Sequence, residues 1–177
     1  DVAVELKVGL AHVGEFGGIE VTAKIKAELI KHIRAGGVLV YNSDDSYCTA
    51  MAEGFAGRKV SFGTGRADYQ ASGHRLSLEG TSADVQYPDG SSAKLQLQIL
   101  GEHQIMNAMA TVAVCDSLGL DRGLVIEALA ALQLAERWRM QLANVAGVAV
   151  INDAYNASPD STKAALQTLA ILGRETG

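Results

Sequence analysis

Cysteine, proline and aromatic residues are scarce in this chain: two Cys, two Pro and 5% aromatics among 177 residues. Cys48 and Cys115 lie far apart and in no metal-like spacing. That excludes a disulfide framework and a paired-cysteine zinc site, and it suits reduced thiols in a cytosolic protein. With so few rings the core must be aliphatic. No Lys/Arg run occurs and the formal net charge is -5, which argues against a nucleic-acid surface. No apolar run is long enough to span a bilayer. Asp1 leads straight into a β-like run with no basic segment before it, so no signal peptide is expected and the expected compartment is the cytoplasm. A G-x-x-x-x-G-K-[ST] phosphate loop is also missing; Gly63-Thr64-Gly65-Arg66 lacks its Lys and reads as a turn. No Ser–His–Asp or Cys–His spacing stands out.

What is present is a globular balance, 48% hydrophobic and 20% charged, in a length that fits one full domain and part of another. Val2 to Leu10 reads as a buried strand, Ala11 to Gly18 as a glycine-punctuated loop, and Ile19 to Arg34 as a helix stopped by Ala35-Gly36-Gly37. Strands at Val38–Tyr41 and Lys59–Phe62 flank a helix over Ser46–Gly57. This alternation predicts a parallel sheet with flanking helices. From Arg66 to Leu100 the segments shorten and alternate, with turns expected at Ser72-Gly73-His74 and Pro88-Asp89-Gly90, as in a small antiparallel meander beside the main sheet. Helices follow at Gly101–Leu120 and Asp121–Leu132, then a linker near Gln133–Arg137. A hairpin (Met140–Leu142 with Val148–Ile151) and a helix from Pro159 to Leu172 close the chain. About 40 residues cannot build an independent core, so the second domain reads as truncated.

The richest segment is Val148 to Ser161, V-A-V-I-N-D-A-Y-N-A-S-P-D-S. A β-branched run stops at Asn152-Asp153, and Ser158-Pro159 reads as an N-cap followed by Pro at the first helical position. Strand ends that feed helix N-termini are where α/β proteins take anions, although Asn, Asp and Ser also simply favour turns. Lys26 lies seven residues after Ile19, inside the apolar stripe Ile19, Ala23, Ile30, Ile33. It is either a snorkelling lysine or a desolvated, reactive amine able to take up CO2 as a carbamate. His12 sits in the loop past the first strand, where a ligand or a plain surface residue both fit. Asn107 shares a helix face with His103, beside Gln104, and amides there can read a base edge or cap a helix. Arg139 and Asp153 flank the hairpin, so one rim can hold both, Arg for a phosphate and Asp for a ribose hydroxyl, or they form a surface ion pair.

Taken together, A-H-V-G-E-F-G-G (Ala11–Gly18), A-K-I-K-A-E-L (Ala23–Leu29), N-S-D-D (Asn42–Asp45), G-E-H-Q-I-M-N-A (Gly101–Ala108), R-W-R-M (Arg137–Met140) and I-N-D-A-Y-N-A-S-P-D-S (Ile151–Ser161) resemble the Mur ligase family, in an actinobacterial wording. The D-x-Y-N-A segment resembles the branch that joins D-alanyl-D-alanine to UDP-MurNAc-tripeptide. The resemblance implies an ATP-dependent amide ligase of peptidoglycan synthesis, using ATP and Mg2+ and an acyl-phosphate intermediate. It implies that Lys26 is carbamylated and that His12 ligates Mg2+. It further implies that His103 and Asn107 contact adenine, that Arg139 faces the phosphates and Asp153 the ribose, and that Tyr155 and Asn156 line the cleft. Gln104, Ser158, Ala27 and Gly18 depart from the usual Asn, Asn, Gly and Ser. The implied layout is residues 1–134 as the later part of a central ATPase domain without its phosphate loop, and 135–177 as the opening of a Rossmann-like C-terminal domain, the 177 residues being inactive alone. The rival readings are a sibling Mur ligase, a folylpolyglutamate synthase, or a non-catalytic nucleotide-binding domain of the same descent.

Overall fold

The computed structural model describes residues 1–9, 17–133 and 137–176, with backbone alone for 175 and 176. His12 and residues 11–16 of the expected loop lie outside the described residues. Strands β1 (Val2–Glu5), β2 (Val38–Asn42) and β3 (Arg58–Gly63) run parallel, Val2 opposite Val38 and Val38 opposite Arg58. Strands β4 (Tyr69–Ser77), β5 (Gly80–Gln86) and β6 (Ser92–Leu97) form the antiparallel meander. The meander is not separate: β3 and β4 pair in parallel through Phe62–Tyr69 and Gly63–Gln70, giving one mixed sheet in the order β1 to β6. Strand β1 is shorter than its apolar run. Past Glu5 the backbone is held by side chains instead, with Asn42 Nδ2 donating to the Leu6 carbonyl at 2.9 Å and Val8 N donating to Asp45 at 3.2 Å.

The turn expected at Ser72-Gly73-His74 is a β-bulge. Strand β4 continues through it with a register shift between Ser72 and Arg75, and Gly73 supplies a φ of 61°. The chain reverses at Leu78-Glu79 and re-enters at Gly80 (φ 131°), where an added Cβ would sit 1.9 Å from the Leu97 carbonyl oxygen. Only glycine fits there.

Helices α1 (Ile19–Lys31) and α2 (Ser46–Glu53) cover one face of the parallel strands, and α3 (Glu102–Ser117) covers the other. Alternation along β1 sorts its side chains accordingly: Val2 and Val4 join the α3 side, Ala3 the α1/α2 side. On α1 the expected stripe faces inward, with Ala23 buried and Ile19, Ile30 and Ile33 packed. Its outer face is partly apolar, since Val21, Ile25 and Leu29 are exposed.

Helix α4 (Arg122–Ala130) packs on α3 and β6, capped by Asp121, which accepts from Leu124 N at 2.9 Å. Strands β7 (Gln141–Val145) and β8 (Val148–Asn152) form the hairpin, turning at Ala146-Gly147, both with positive φ as a type I′ turn requires. Helix α5 (Pro159–Thr176) begins where predicted, with Ser158 Oγ accepting from Ser161 N at 3.2 Å. Met140 and Leu172 bury against Leu76 and Leu100, which seats the C-terminal unit on the meander and the start of α3. No described helix is long and apolar enough to cross a membrane.

Candidate functional site

The N-terminus of α3 meets the segment before β7 and the end of β8. Gly101 opens α3 with φ 113°, and the His103 ring folds back over it; a Cβ on Gly101 would lie 2.5 Å from that ring. His103 Nε2 lies 3.2 Å from the amide nitrogen of Gln104, whose Oε1 accepts from Asn107 Nδ2 at 3.0 Å. Gln104 is buried, 7% exposed, so it bridges the two exposed side chains from below. Protein atoms crowded round His103 push its pKa below the ordinary value; Arg139 adds to the lowering and Asp153 opposes it. A neutral imidazole accepting at Nε2 from the Gln104 amide fits that direction.

Asp153, at the end of β8, accepts from Met140 N at 3.1 Å. The Arg139 guanidinium stacks on Tyr155, 4.1 Å from the ring centroid, and Tyr155 N donates to the Trp138 carbonyl at 3.1 Å. Arg139 is thus held by a ring rather than by an ion pair with Asp153. Trp138 and Met140 both have positive φ, 61° and 48°, so the backbone is contorted on each side of Arg139. His103, Asn107, Arg139, Asp153 and Tyr155 therefore share one corner. Beside it a cavity of about 160 Å³ runs between Gln104, Asn107 and Thr111 on α3 and Leu129 and Leu132 opposite, floored by Leu97 and Ile99. An apolar slot with amides at its mouth suits a flat heteroaromatic base. Asn156 is not drawn into this corner; its Oδ1 accepts from Ala157 N at 2.8 Å in an exposed loop.

Lys26 stands apart, on the α1/α2 side of the sheet. It is half-buried, and the charges that act with it come from Glu5 on β1 and Asp45 at the N-cap of α2. Glu5 is 3% exposed. Burial holds its carboxyl above the usual range, Lys26 pulls it down and Asp45 pushes it up. Burial, then Asp45 and Glu5, pushes the neighbouring Cys48 thiol up to about 12, so that thiol is inert. Among the described residues no three His, Cys, Asp or Glu are placed to hold a metal ion.

Two features escaped the sequence reading. Glu5 passed as one residue of an apolar strand, although a carboxylate on the inward phase shared with Ala3 is a visible signal. The other is a clip around Arg122. Its guanidinium meets Asp116 through Nε at 2.7 Å and Nη2 at 3.0 Å, reaches Asp89 at 2.7 Å and Ser91 at 3.0 Å, and lies 4.2 Å over the Tyr87 ring. Tyr69 donates to the same Asp116. The clip fixes α3 and α4 to the meander, and with them both walls of the slot.

A family model described as the Mur ligase middle domain matches residues 1–115. The UDP-N-acetylmuramoyl-tripeptide–D-alanyl-D-alanine ligase of Mycobacterium tuberculosis is 38% identical over 176 residues, 98% of this chain and 34% of its own length. That of Bacillus subtilis is 33% identical over 168 residues, covering 94% of this chain and 35% of the relative. A crystal structure of MurF from Acinetobacter baumannii superposes with a TM-score of 0.89 at 33% identity, over 96% of this chain and 37% of that one. MurF from Thermotoga maritima in complex with ADP gives 0.83 at 27% identity, over 96% and 39%. The chain therefore spans about a third of the length of the curated relatives it matches.

Proposed function

The chain belongs to the Mur ligase family, and on that premise we propose that it serves an ATP-dependent ligase joining D-alanyl-D-alanine to UDP-MurNAc-tripeptide in the cytoplasm. In this reading residues 1–134 are the later part of the central domain and 135–177 the opening of the next. The carrying observation is the corner that gathers His103, Asn107, Arg139, Asp153 and Tyr155 beside the apolar slot. The slot takes adenine, with His103 and Asn107 at its edge. Asp153 accepts from a ribose hydroxyl. Arg139, pre-oriented on Tyr155, faces the phosphates.

The tripeptide carboxylate attacks the γ-phosphorus of ATP, ADP leaves, and an acyl phosphate results. The D-alanyl-D-alanine amine then attacks the acyl carbon, and the tetrahedral intermediate expels phosphate as the amide forms. This chain's residues bind and orient; the charge on Arg139 offsets negative charge that grows on the phosphoryl oxygens. Lys26 as a carbamate, with His12, would hold Mg2+. The fit is chemical: Lys26 acts electrostatically on the buried Glu5, in a neighbourhood that also holds Asp45, and a carbamate adds the oxygen donor that a hard cation prefers. Mg2+, when bound, supplies offsetting positive charge at the phosphates. No phosphate-cradling loop occurs in the 177 residues, so we expect no ATP turnover from them alone.

The test is ADP release by the full-length protein with UDP-MurNAc-tripeptide and Mg2+, with and without D-alanyl-D-alanine. Release that depends on the dipeptide is expected. Release only with another amine would move the assignment to a sibling ligase, and none with any amine would favour a non-catalytic descendant.

A further inference from the structure

Helix α4 carries two apolar faces. Val125, Ile126 and Leu129 pack on the core beneath it. Leu120, just before the N-cap, then Leu124, Ala128 and Leu132 recur every four residues as a second stripe, with Leu120 and Leu124 53% and 66% exposed. That stripe is not a flat patch. With Thr111 and Cys115 of α3 it forms a groove of about 400 Å³ lined mainly by carbon, in the size range of small-molecule sites. Thr111, Leu129 and Leu132 also line the slot beside Asn107, so groove and slot adjoin across these three side chains.

The corner sets a direction. In the ligase reading Asp153 takes the ribose, and adenine is joined to ribose through N9, with its exocyclic amine at the opposite end of the ring. His103, beside Asp153, precedes Thr111 by eight residues, about 12 Å along α3. The amine therefore points away from the corner, along α3, toward Thr111 and the groove. The Thr111 hydroxyl donates to the Asn107 carbonyl of its own helix at 3.0 Å, so it asks for no other polar partner in the passage. Cys115 lies one turn further, about 6 Å on, within reach of a benzyl group.

We propose that the α3–α4 groove is a ligand subsite for an aryl or branched alkyl group carried on the exocyclic amine of an adenine nucleotide; this rests on the slot being the base site of the ligase reading. ATP itself leaves the subsite unfilled. An N6-substituted nucleotide spans slot and groove, with Thr111, Leu129 and Leu132 as the passage and Leu124 as the outer wall.

Calorimetry on the full-length protein with Mg2+ compares ATP with N6-benzyl-ATP. The benzyl nucleotide should bind about tenfold tighter, from burial of about half a phenyl ring. Leu124→Glu puts a charge on the exposed wall, away from the slot. It should bring the two nucleotides within about twofold of each other and leave the affinity for ATP unchanged. Leu120→Glu should do the same and covers a folding failure of the first variant. Cys115 supplies a second readout, because it is half-buried in the groove while Cys48 is sealed and inert. Maleimide labelling of Cys115, located by peptide mass, should slow under saturating N6-benzyl-ATP and keep its rate under ATP. Equal affinity of the two nucleotides, an undiminished gain in both leucine variants, or unchanged labelling would overturn the proposal and leave the base slot standing. A Cys115 that resists maleimide in the native ligand-free protein and reacts after denaturation would overturn it too, by showing that another segment or a second copy covers the groove. Binding of neither nucleotide would overturn it together with the base slot, while dipeptide-dependent ADP release decides separately whether the ligase reading survives.

Discussion

Replacing Arg122 with Ala should loosen the slot without touching it. The guanidinium makes two charge-assisted bonds to Asp116, whose side chain is only 18% exposed, and it covers the Tyr87 ring. A two-pronged bond to a partly buried carboxylate contributes about 2 kcal/mol, and the ring contact about 0.5–1 kcal/mol. The arm to exposed Asp89 adds little. The expected loss is about 2–3 kcal/mol, or about 5–10 °C in Tm for a chain of this size. Arg122→Lys should recover little, because a point charge cannot reproduce the fork. The pH dependence is fixed by Asp116. Its hydrogen bonds from Arg122, helped by Tyr69 and opposed by burial, hold it below the ordinary carboxylate value. A lowered carboxyl adds stability above its unfolded pKa, near 4, and loses it as pH falls through the folded value. Urea denaturation at pH 7 should therefore show the full penalty and at pH 3 a much smaller one. A penalty under about 0.5 kcal/mol at pH 7, or one unchanged at pH 3, would refute the clip.

Lys26→Ala should lower ligase activity of the full-length protein by about a hundredfold, as when a charge-stabilising group is removed, with partial recovery in short carboxylates; full activity would remove Lys26 from the mechanism. The His103 imidazole should titrate below the ordinary histidine value by NMR. Arg139→Ala should raise that midpoint and Asp153→Asn lower it, and unchanged midpoints would mean that the three do not share a corner. Gly80→Ala should cost about 3 kcal/mol or more in a urea melt, because its Cβ meets the Leu97 carbonyl, against about 1 kcal/mol for Gly90→Ala, where nothing lies within 4 Å. Equal losses would show that strained φ, not the close approach, sets the cost.

Local signals carried far. Ser158-Pro159 caps α5 through its hydroxyl, and the β-branched runs of β2 and β8 became strands. Lys26 stood out because a cation interrupts an apolar stripe, a short-range pattern. What stayed hidden depends on partners distant in sequence. Gly73 looks the same in a turn and in a bulge, and the pairing of β4 with β5 decides between them. Arg122 reads as an ordinary first-turn residue of a helix until Asp89, 33 positions away, is brought beside it. The site residues Arg139 and Asp153 could be placed on one rim from the hairpin alone, but the stacking on Tyr155 needed the left-handed backbone at Trp138 and Met140, which no propensity favours.

Only two residue pairs stitch β3 to β4, so by its own hydrogen bonds the sheet is two plates with a seam. Helix α3 spans that seam, touching β2 and β3 on one side and β4 and β5 on the other, with Met109 and Val112 sealed beneath it. It acts as a splint, turning two plates that could open separately into one cooperative unit. Amide protons of β2 and β5 should then exchange through a shared opening event, and a cavity cut under α3 would let each plate breathe at its own rate.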